Sequence, residues 1–168
     1  MENTIFQLLC HILQSNAPLL SIAISQRAKF EGWLKFVLAN GLNNAFSNTC
    51  VEESIDKSLV DICCNNSLIE IKTPNTSYTA NGCVNKVCAV TDNINGIIAD
   101  IYKLNKIHNK SRKYVHGYIA FVMFPVDENK YQYHINKVIN HLGSPLHVRQ
   151  GPVMINQFKT YVFVARVF

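Results

Sequence analysis

The sequence predicts an α/β protein with a mixed central sheet flanked by helices. Three observations carry that expectation. Apolar residues recur at helical spacing in some stretches and at strand spacing in others, switching along the chain. Two β-type runs, LVDICC and SLIEIK, flank Asn65-Asn66, a pair that accepts the positive φ of a tight hairpin. Tyr114 to Phe124 is almost continuously apolar, the pattern of a strand covered on both faces. With 168 residues, 48% apolar and 16% charged, the chain reads as one folded domain over 1–168 and not as a disordered one.

In chain order, Ile5, Leu8, Leu9 and Ile12 set a first short helix ending near Ser15-Asn16, ahead of Pro18. A second helix is expected from about Pro18 or Ser25 to Asn40, with Phe30, Trp33, Leu34, Val37 and Leu38 inward and Gly41 as its stop. Arg27, Glu31 and Lys35 fall on its polar side at i,i+4 spacing and read as a surface salt-bridge row. Asn43 to Glu53 reads as a loop entering a short strand near Ser47 to Glu52. The hairpin follows, then a long polar loop from Thr73 to Thr91. Thr91 or Asp92 caps a helix with Ile94, Ile97, Ile98, Ile101 and Leu104 inward, and His108 to Lys113 forms a basic turn after it. Pro125 closes the covered strand. Asp127 to Lys130 opens a helix with Tyr131, Ile135, Val138, Ile139 and Leu142 inward and Gly143 as its stop; His134 and His141 fall on polar positions and are expected to be solvated. Ser144 to Gln157 reads as a loop or weak strand, broken by Pro145 and Pro152, and Tyr161 to Val167 as the last strand.

The chemistry concentrates on the hairpin. With Asn65-Asn66 as its loop, Asp61 falls opposite Glu70, and Leu59, Asp61 and Cys63 share a face with Leu68, Glu70 and Lys72. Two carboxylates about 5 Å apart across a strand pair repel each other. A cation between them removes that penalty, and a divalent metal with oxygen ligands, beside the positive charge of Lys72, is the natural candidate. The plainer alternative is an Asp and a Glu on the wet face of an ordinary amphipathic hairpin.

Asp61, eight intervening residues and then Glu70-Ile71-Lys72 resemble the signature of the PD-(D/E)XK restriction endonuclease-like nuclease superfamily. Val60 stands where the family's name has proline. The resemblance implies a restriction endonuclease-like αβββαβ core, here spanning about Ser25 to Pro125. It implies that Asp61 and Glu70 bind Mg²⁺, with Mn²⁺ able to substitute, and that Lys72 positions or activates the attacking water. A Glu from the helix before the sheet often joins such a site; Glu31 fits, with Glu52 and Glu53 as competitors. The implied activity is metal-dependent hydrolysis of DNA by a type II-like restriction endonuclease. A Holliday-junction resolvase or repair nuclease is the nearest rival, and a non-catalytic nucleic-acid-binding or assembly protein on this fold is the alternative of a different class. The family's helicase-fused exonuclease branch has a Gln and a Tyr four apart on the helix after Glu-x-Lys, and this chain has no Gln between Asp92 and Asn109. A homodimer follows by analogy with two-fold enzymes on palindromic sites. The apolar helix from Ile5 to Leu13 is a candidate interface, or simply core.

The net charge is +5, and after Lys103 only Asp127 and Glu128 oppose the lysines and arginines. A basic half joined to an acidic site suits a polyanion held through its phosphates. Lys110, Arg112 and Lys113 in the basic turn are therefore candidate contacts to double-stranded DNA. So are Asn75, Tyr78, Asn81, Asn85 and Lys86 in the polar loop. The alternative is an ordinary exposed loop and a mildly basic surface. No secretory n-region is present and no apolar run reaches the roughly 20 residues of a membrane span. The expectation is a cytoplasmic protein without membrane contact, its six cysteines reduced and mostly buried. Cys83 and Cys88, with His108 or His116, form a weaker zinc option. No cysteine has the setting of a redox nucleophile.

Overall fold

The computed structural model describes residues 1–143 and 147–168. The chain runs α1 (Glu2–Ser15), α2 (Ala17–Ser25), α3 (Glu31–Phe46), β1 (Thr49–Ile55), β2 (Ser58–Cys64), β3 (Ser67–Lys72), α4 (Val90–Lys110), β4 (His116–Met123), α5 (Tyr131–Ile139), β5 (Val148–Ile155) and β6 (Phe158–Arg166). The six strands form one mixed sheet in the order β1-β2-β3-β4-β6-β5. β3 and β4 pair in parallel, the crossover between them being α4, and the remaining neighbours pair antiparallel.

Side-chain alternation divides the core between the two faces of the sheet. Ile69 and Ile71 of β3, with Tyr118, Ala120 and Val122 of β4, pack with residues of α1, α2 and α3. Leu68, Ile119, Phe121 and Met123 point the other way, against α4 and α5. β4 is therefore covered on both faces, as its continuous apolar run predicts. Each such side chain contributes about 1.5–3 kcal/mol on burial. The predicted stripe of α4, Ile94 to Leu104, is buried throughout. The stripe of α1 is core: Ile5, Leu9, Ile12 and Leu13 are buried within this chain, so that face is not available as a dimer interface. No single helix among the described residues is long and apolar enough to cross a membrane.

Several boundaries differ from expectation, each for a visible reason. The predicted second helix is two helices, because the chain turns at Arg27, which has φ 51° and is only 2% exposed. Its guanidinium donates to the carbonyls of Val84 (2.7 Å), Tyr78 (2.8 Å) and Thr76, stapling the polar loop to the end of α2. Gly41 does not stop α3; a Cβ there would lie 3.2 Å from Leu8 Cδ2, so the glycine permits α1 and α3 to approach. The helix ends instead at Phe46, and the turn follows through Ser47 and Asn48 at φ 57° and 51°. β1 accordingly begins at Thr49 and runs three residues beyond the expected Glu52.

α4 continues to Lys110, absorbing half of the predicted basic turn. α5 is shorter than expected, since Asp127 to Lys130 forms a turn in which Asp127 Oδ1 accepts from Asn129 N at 2.9 Å. His134 and His141 are half-buried, and His141 Nδ1 lies 2.8 Å from the Lys137 carbonyl. The stretch expected to be a loop or weak strand holds a full strand, β5, except for 144–146, which lie outside the described residues. Pro152 is tolerated because β5 is an edge strand, and Asn156 at φ 52° makes the tight turn into β6.

Candidate active site

The hairpin register is the expected one: Cys64 pairs with Ser67, Cys63 with Leu68 and Ile62 with Ile69, and Asn65 takes φ 52°. The ladder then stops. Asp61 and Glu70 are next in line, but the strands part there. On the other side of β2 the pairing with β1 also skips Asp61, opposite Glu52, whose φ is 55°. Asp61 uses the gap: its Oδ2 accepts the backbone N–H of Ile71 at 3.0 Å. Glu31, in the first turn of α3, does the same one step further, with Oε2 accepting from Thr73 N at 3.2 Å. Carboxylates thus replace backbone acceptors at the end of β3 and hold it in place.

Around that end lies one continuous network of acids and lysines. Lys72 Nζ stands 3.2 Å from Glu31 Oε1, 3.4 Å from Asp100 Oδ2 and 4.0 Å from Asp61 Oδ2. Lys35 Nζ, from α3, lies 2.6 Å from Glu52 Oε1 and 3.6 Å from Asp61 Oδ1. Lys103 Nζ, from α4, is 2.6 Å from Glu70 Oε1, 3.2 Å from Asp100 Oδ1 and 3.0 Å from the Leu59 carbonyl. Lys103 is thus the partner of the buried Glu70 Oε1 and also donates to the Leu59 carbonyl. Five carboxyl groups (Glu31, Glu52, Asp61, Glu70, Asp100) face three ammonium groups (Lys35, Lys72, Lys103), so acids outnumber lysines.

Glu70 is 1% exposed, which overturns the reading of these acids as the wet face of an ordinary hairpin. Burial, with the charges of Asp61 and Asp100, pushes its carboxyl up to about 8 although Lys103 pulls the other way. Burial works against the ammonium of Lys72, but Asp100, Glu31 and Asp61 outweigh it and raise its pKa above the ordinary lysine value. Lys35 is raised likewise, Glu52 and Asp61 outweighing its desolvation.

The surface salt-bridge row expected from Arg27, Glu31 and Lys35 does not form. Glu31 and Lys35 turn into the network and Arg27 is not in the helix. Glu52, a competitor of Glu31 in the sequence, joins through Lys35, whereas Lys35, Asp100 and Lys103 were not expected in the site. The available signal was helical spacing: Asp100 and Lys103 flank the buried stripe Ile97, Ile101 and Leu104, where a charge needs a partner.

Among the expected DNA contacts, Asn75 is 8% exposed and committed to the fold, donating to the Arg27 carbonyl at 2.8 Å and accepting from Asn93 at 3.1 Å. Tyr78 is half-buried, while Asn81, Asn85 and Lys86 are exposed. Lys110, Arg112 and Lys113 lie at the opposite end of the sheet from Lys72, with Lys110 about 15 Å along α4 from Asp100 at 1.5 Å per residue. Lys110 pairs there with Asp56 at 2.5 Å, and Arg112 Nη1 lies 3.2 Å from His108 Nε2. Cys88 and His108 bracket nearly the whole of α4, about 27 Å apart, so they cannot share a zinc ion.

Among the described residues no three His, Cys, Asp or Glu side chains converge closely enough to hold a metal ion as they stand, because ammonium groups lie between the carboxylates. The donor chemistry nevertheless suits a hard divalent cation: the acids are all oxygen donors, they outnumber the lysines, and Asp100 Oδ2 has no hydrogen bond. The arrangement is an acid-rich cluster with lysines at the end of a parallel strand, built around one buried acid, Glu70. No family model, no curated protein and no solved structure matches this chain.

Proposed function

We propose that this protein is a metal-dependent DNA endonuclease of the PD-(D/E)XK type. One observation carries the reading: Lys72 Nζ lies within 4.0 Å of Glu31, Asp61 and Asp100, two residues from a Glu70 that is buried in a network whose acids outnumber its lysines. The order α3-β1-β2-β3-α4-β4, with β3 and β4 parallel, supports it as the αβββαβ order of that fold.

Asp61 and Glu70 would hold a divalent cation, with Glu31 as a third carboxylate. Such a cation supplies Lewis acidity at a phosphodiester oxygen and lowers the pKa of a water. Lys72, kept protonated by its acidic neighbours, orients that water and stabilises negative charge developing at phosphorus. The Ile71 and Thr73 backbone N–H groups hold Asp61 and Glu31 at the strand end. Exposed Asn81, Asn85 and Lys86 of the polar loop contact the duplex, and a homodimer would present two such sites to a palindrome.

The test is cleavage of supercoiled plasmid with Mg²⁺ or Mn²⁺, against EDTA and against Lys72→Ala. Discrete metal-dependent fragments lost in the variant support a restriction endonuclease. Smearing lost in the variant keeps the chemistry and removes that branch. No cleavage of plasmid, four-way junction or single strands, with Lys72→Ala behaving as wild type, overturns the reading in favour of a non-catalytic nucleic-acid-binding module.

A further inference from the structure

We infer that Asp100 is a further carboxylate ligand of the cation site, and that Lys103 is a resident counter-ion which occupies the site until a divalent cation displaces it. The inference rests on the nuclease reading for its cation but not for its substrate. Asp100 and Lys103 stand one turn apart on α4, and both face the Glu70 side of the hairpin. Asp100 Oδ2 is buried, lies 3.4 Å from Lys72 Nζ and receives no hydrogen bond. Glu70 Oε1, in a side chain 1% exposed, is held by Lys103 Nζ at 2.6 Å, the contact that an incoming cation would replace. A buried carboxylate oxygen without a hydrogen bond is costly, about 1–3 kcal/mol, unless another partner takes the position.

A separate observation points to the same ligand. Thr73 is 1% exposed and lines the small cavity against Glu31 and Lys72, and its Oγ1 has no hydrogen-bond partner. Thr73 Oγ1 therefore lacks a partner on the Glu31 side of the end of β3, and Asp100 Oδ2 lacks a hydrogen bond on its α4 side. Oxygen donors of this kind select Mg²⁺, Mn²⁺ or Ca²⁺ over softer ions.

Lys103 can leave without being stranded. Its Nζ already donates to the Leu59 carbonyl at 3.0 Å, and the side chain is only half-buried, so it can turn outward on its flexible stem while keeping that bond. An ammonium that competes with the cation gives a sign that a merely structural salt bridge does not. Removing it tightens cation binding.

The experiment is calorimetric titration of the whole, DNA-free protein with Mn²⁺, comparing wild type, Asp100→Asn, Lys103→Met and Asp61→Asn, each checked for its thermal transition. The expected result is binding weakened by about tenfold or more in Asp100→Asn and tightened by about tenfold in Lys103→Met. Wild-type affinity in Asp100→Asn, or equal or weaker affinity in Lys103→Met, overturns the inference. If Asp61→Asn alone loses binding, the nuclease reading stands and the inference falls. If wild type takes up no Mn²⁺, both fall. Should Asp100→Asn fail to fold, Lys103→Met decides by its sign.

Discussion

Two sets of ion pairs in this molecule use the same side chains to opposite ends. At the far end of α4, Lys110 meets Asp56 at 2.5 Å with both groups largely exposed, and Lys130 meets Asp127 at 3.5 Å on another surface. These are one-to-one pairs in water, worth about 0–1 kcal/mol and screened by salt. At the end of β3, five acids share three lysines, and Glu70 is 1% exposed. Of those acids only Glu70 is buried; Glu52 is exposed and the others are partly exposed, so the desolvation cost falls mainly on Glu70, which Lys103 faces at 2.6 Å. The first set lies on the surface, and the second closes over a buried acid.

The comparison can be broken most sharply at Lys72. Lys72→Ala should lower plasmid cleavage by about 10³-fold or more, near 4 kcal/mol in the barrier, while the far pair Lys110→Ala leaves the rate within about twofold. Single-turnover rates on supercoiled DNA measure this. Equal losses in both variants would mean that the buried set has no special role.

Next in size is the stability cost of holding Glu70 buried. Its carboxyl rises from the ordinary 4.5 to about 8, so the folded state binds that proton more tightly than the unfolded chain does. Stability from this group is present at low pH and lost as pH rises from near 4.5 through 8. With cations chelated, Glu70→Gln should therefore melt higher than wild type at pH 8, by roughly 2 kcal/mol, and little differently at pH 5. Thermal scans at the two values decide; a gain that is the same at both removes the ionisation argument.

A smaller effect is expected at Lys35, the ammonium between Glu52 and Asp61. Lys35→Met leaves those acids facing each other and should cost about 1–3 kcal/mol in denaturant unfolding, a loss that saturating Mn²⁺ partly restores. The smallest effect is at the surface. Asp56→Asn should change stability by less than about 0.5 kcal/mol, and that change should vanish in 1 M salt.

Much of the site was legible because hairpin geometry is local. Asn65-Asn66 sets the register, the register leads to Asp61 and Glu70 as the next residues where the ladder ends, and period-2 alternation brings Lys72 to the same side as Glu70. Glu31 was legible only through the resemblance, as the Glu on the helix before the sheet. Its contacts with Lys72 and Thr73 depend on where α3 begins, and that depends on the turn at Arg27. Asp100 and Lys103 looked like ordinary members of a polar helix face, because nothing in their local sequence says that α4 crosses over Glu70. Asn75 was misleading in the opposite direction: a polar residue in a polar loop, it serves the hydrogen bonds of the fold's interior.

The chain alone was enough for the α/β class, the Asn-Asn hairpin and the doubly covered strand β4, since each rests on spacing within about a dozen residues. Which lysine faces which acid, that Glu70 is sealed from water, and that acids outnumber lysines around it were decided only when α3 and α4 closed on the two sides of β3. The balance of acids and lysines around a buried carboxyl is a sum over elements far apart in sequence, and no local pattern carries that sum.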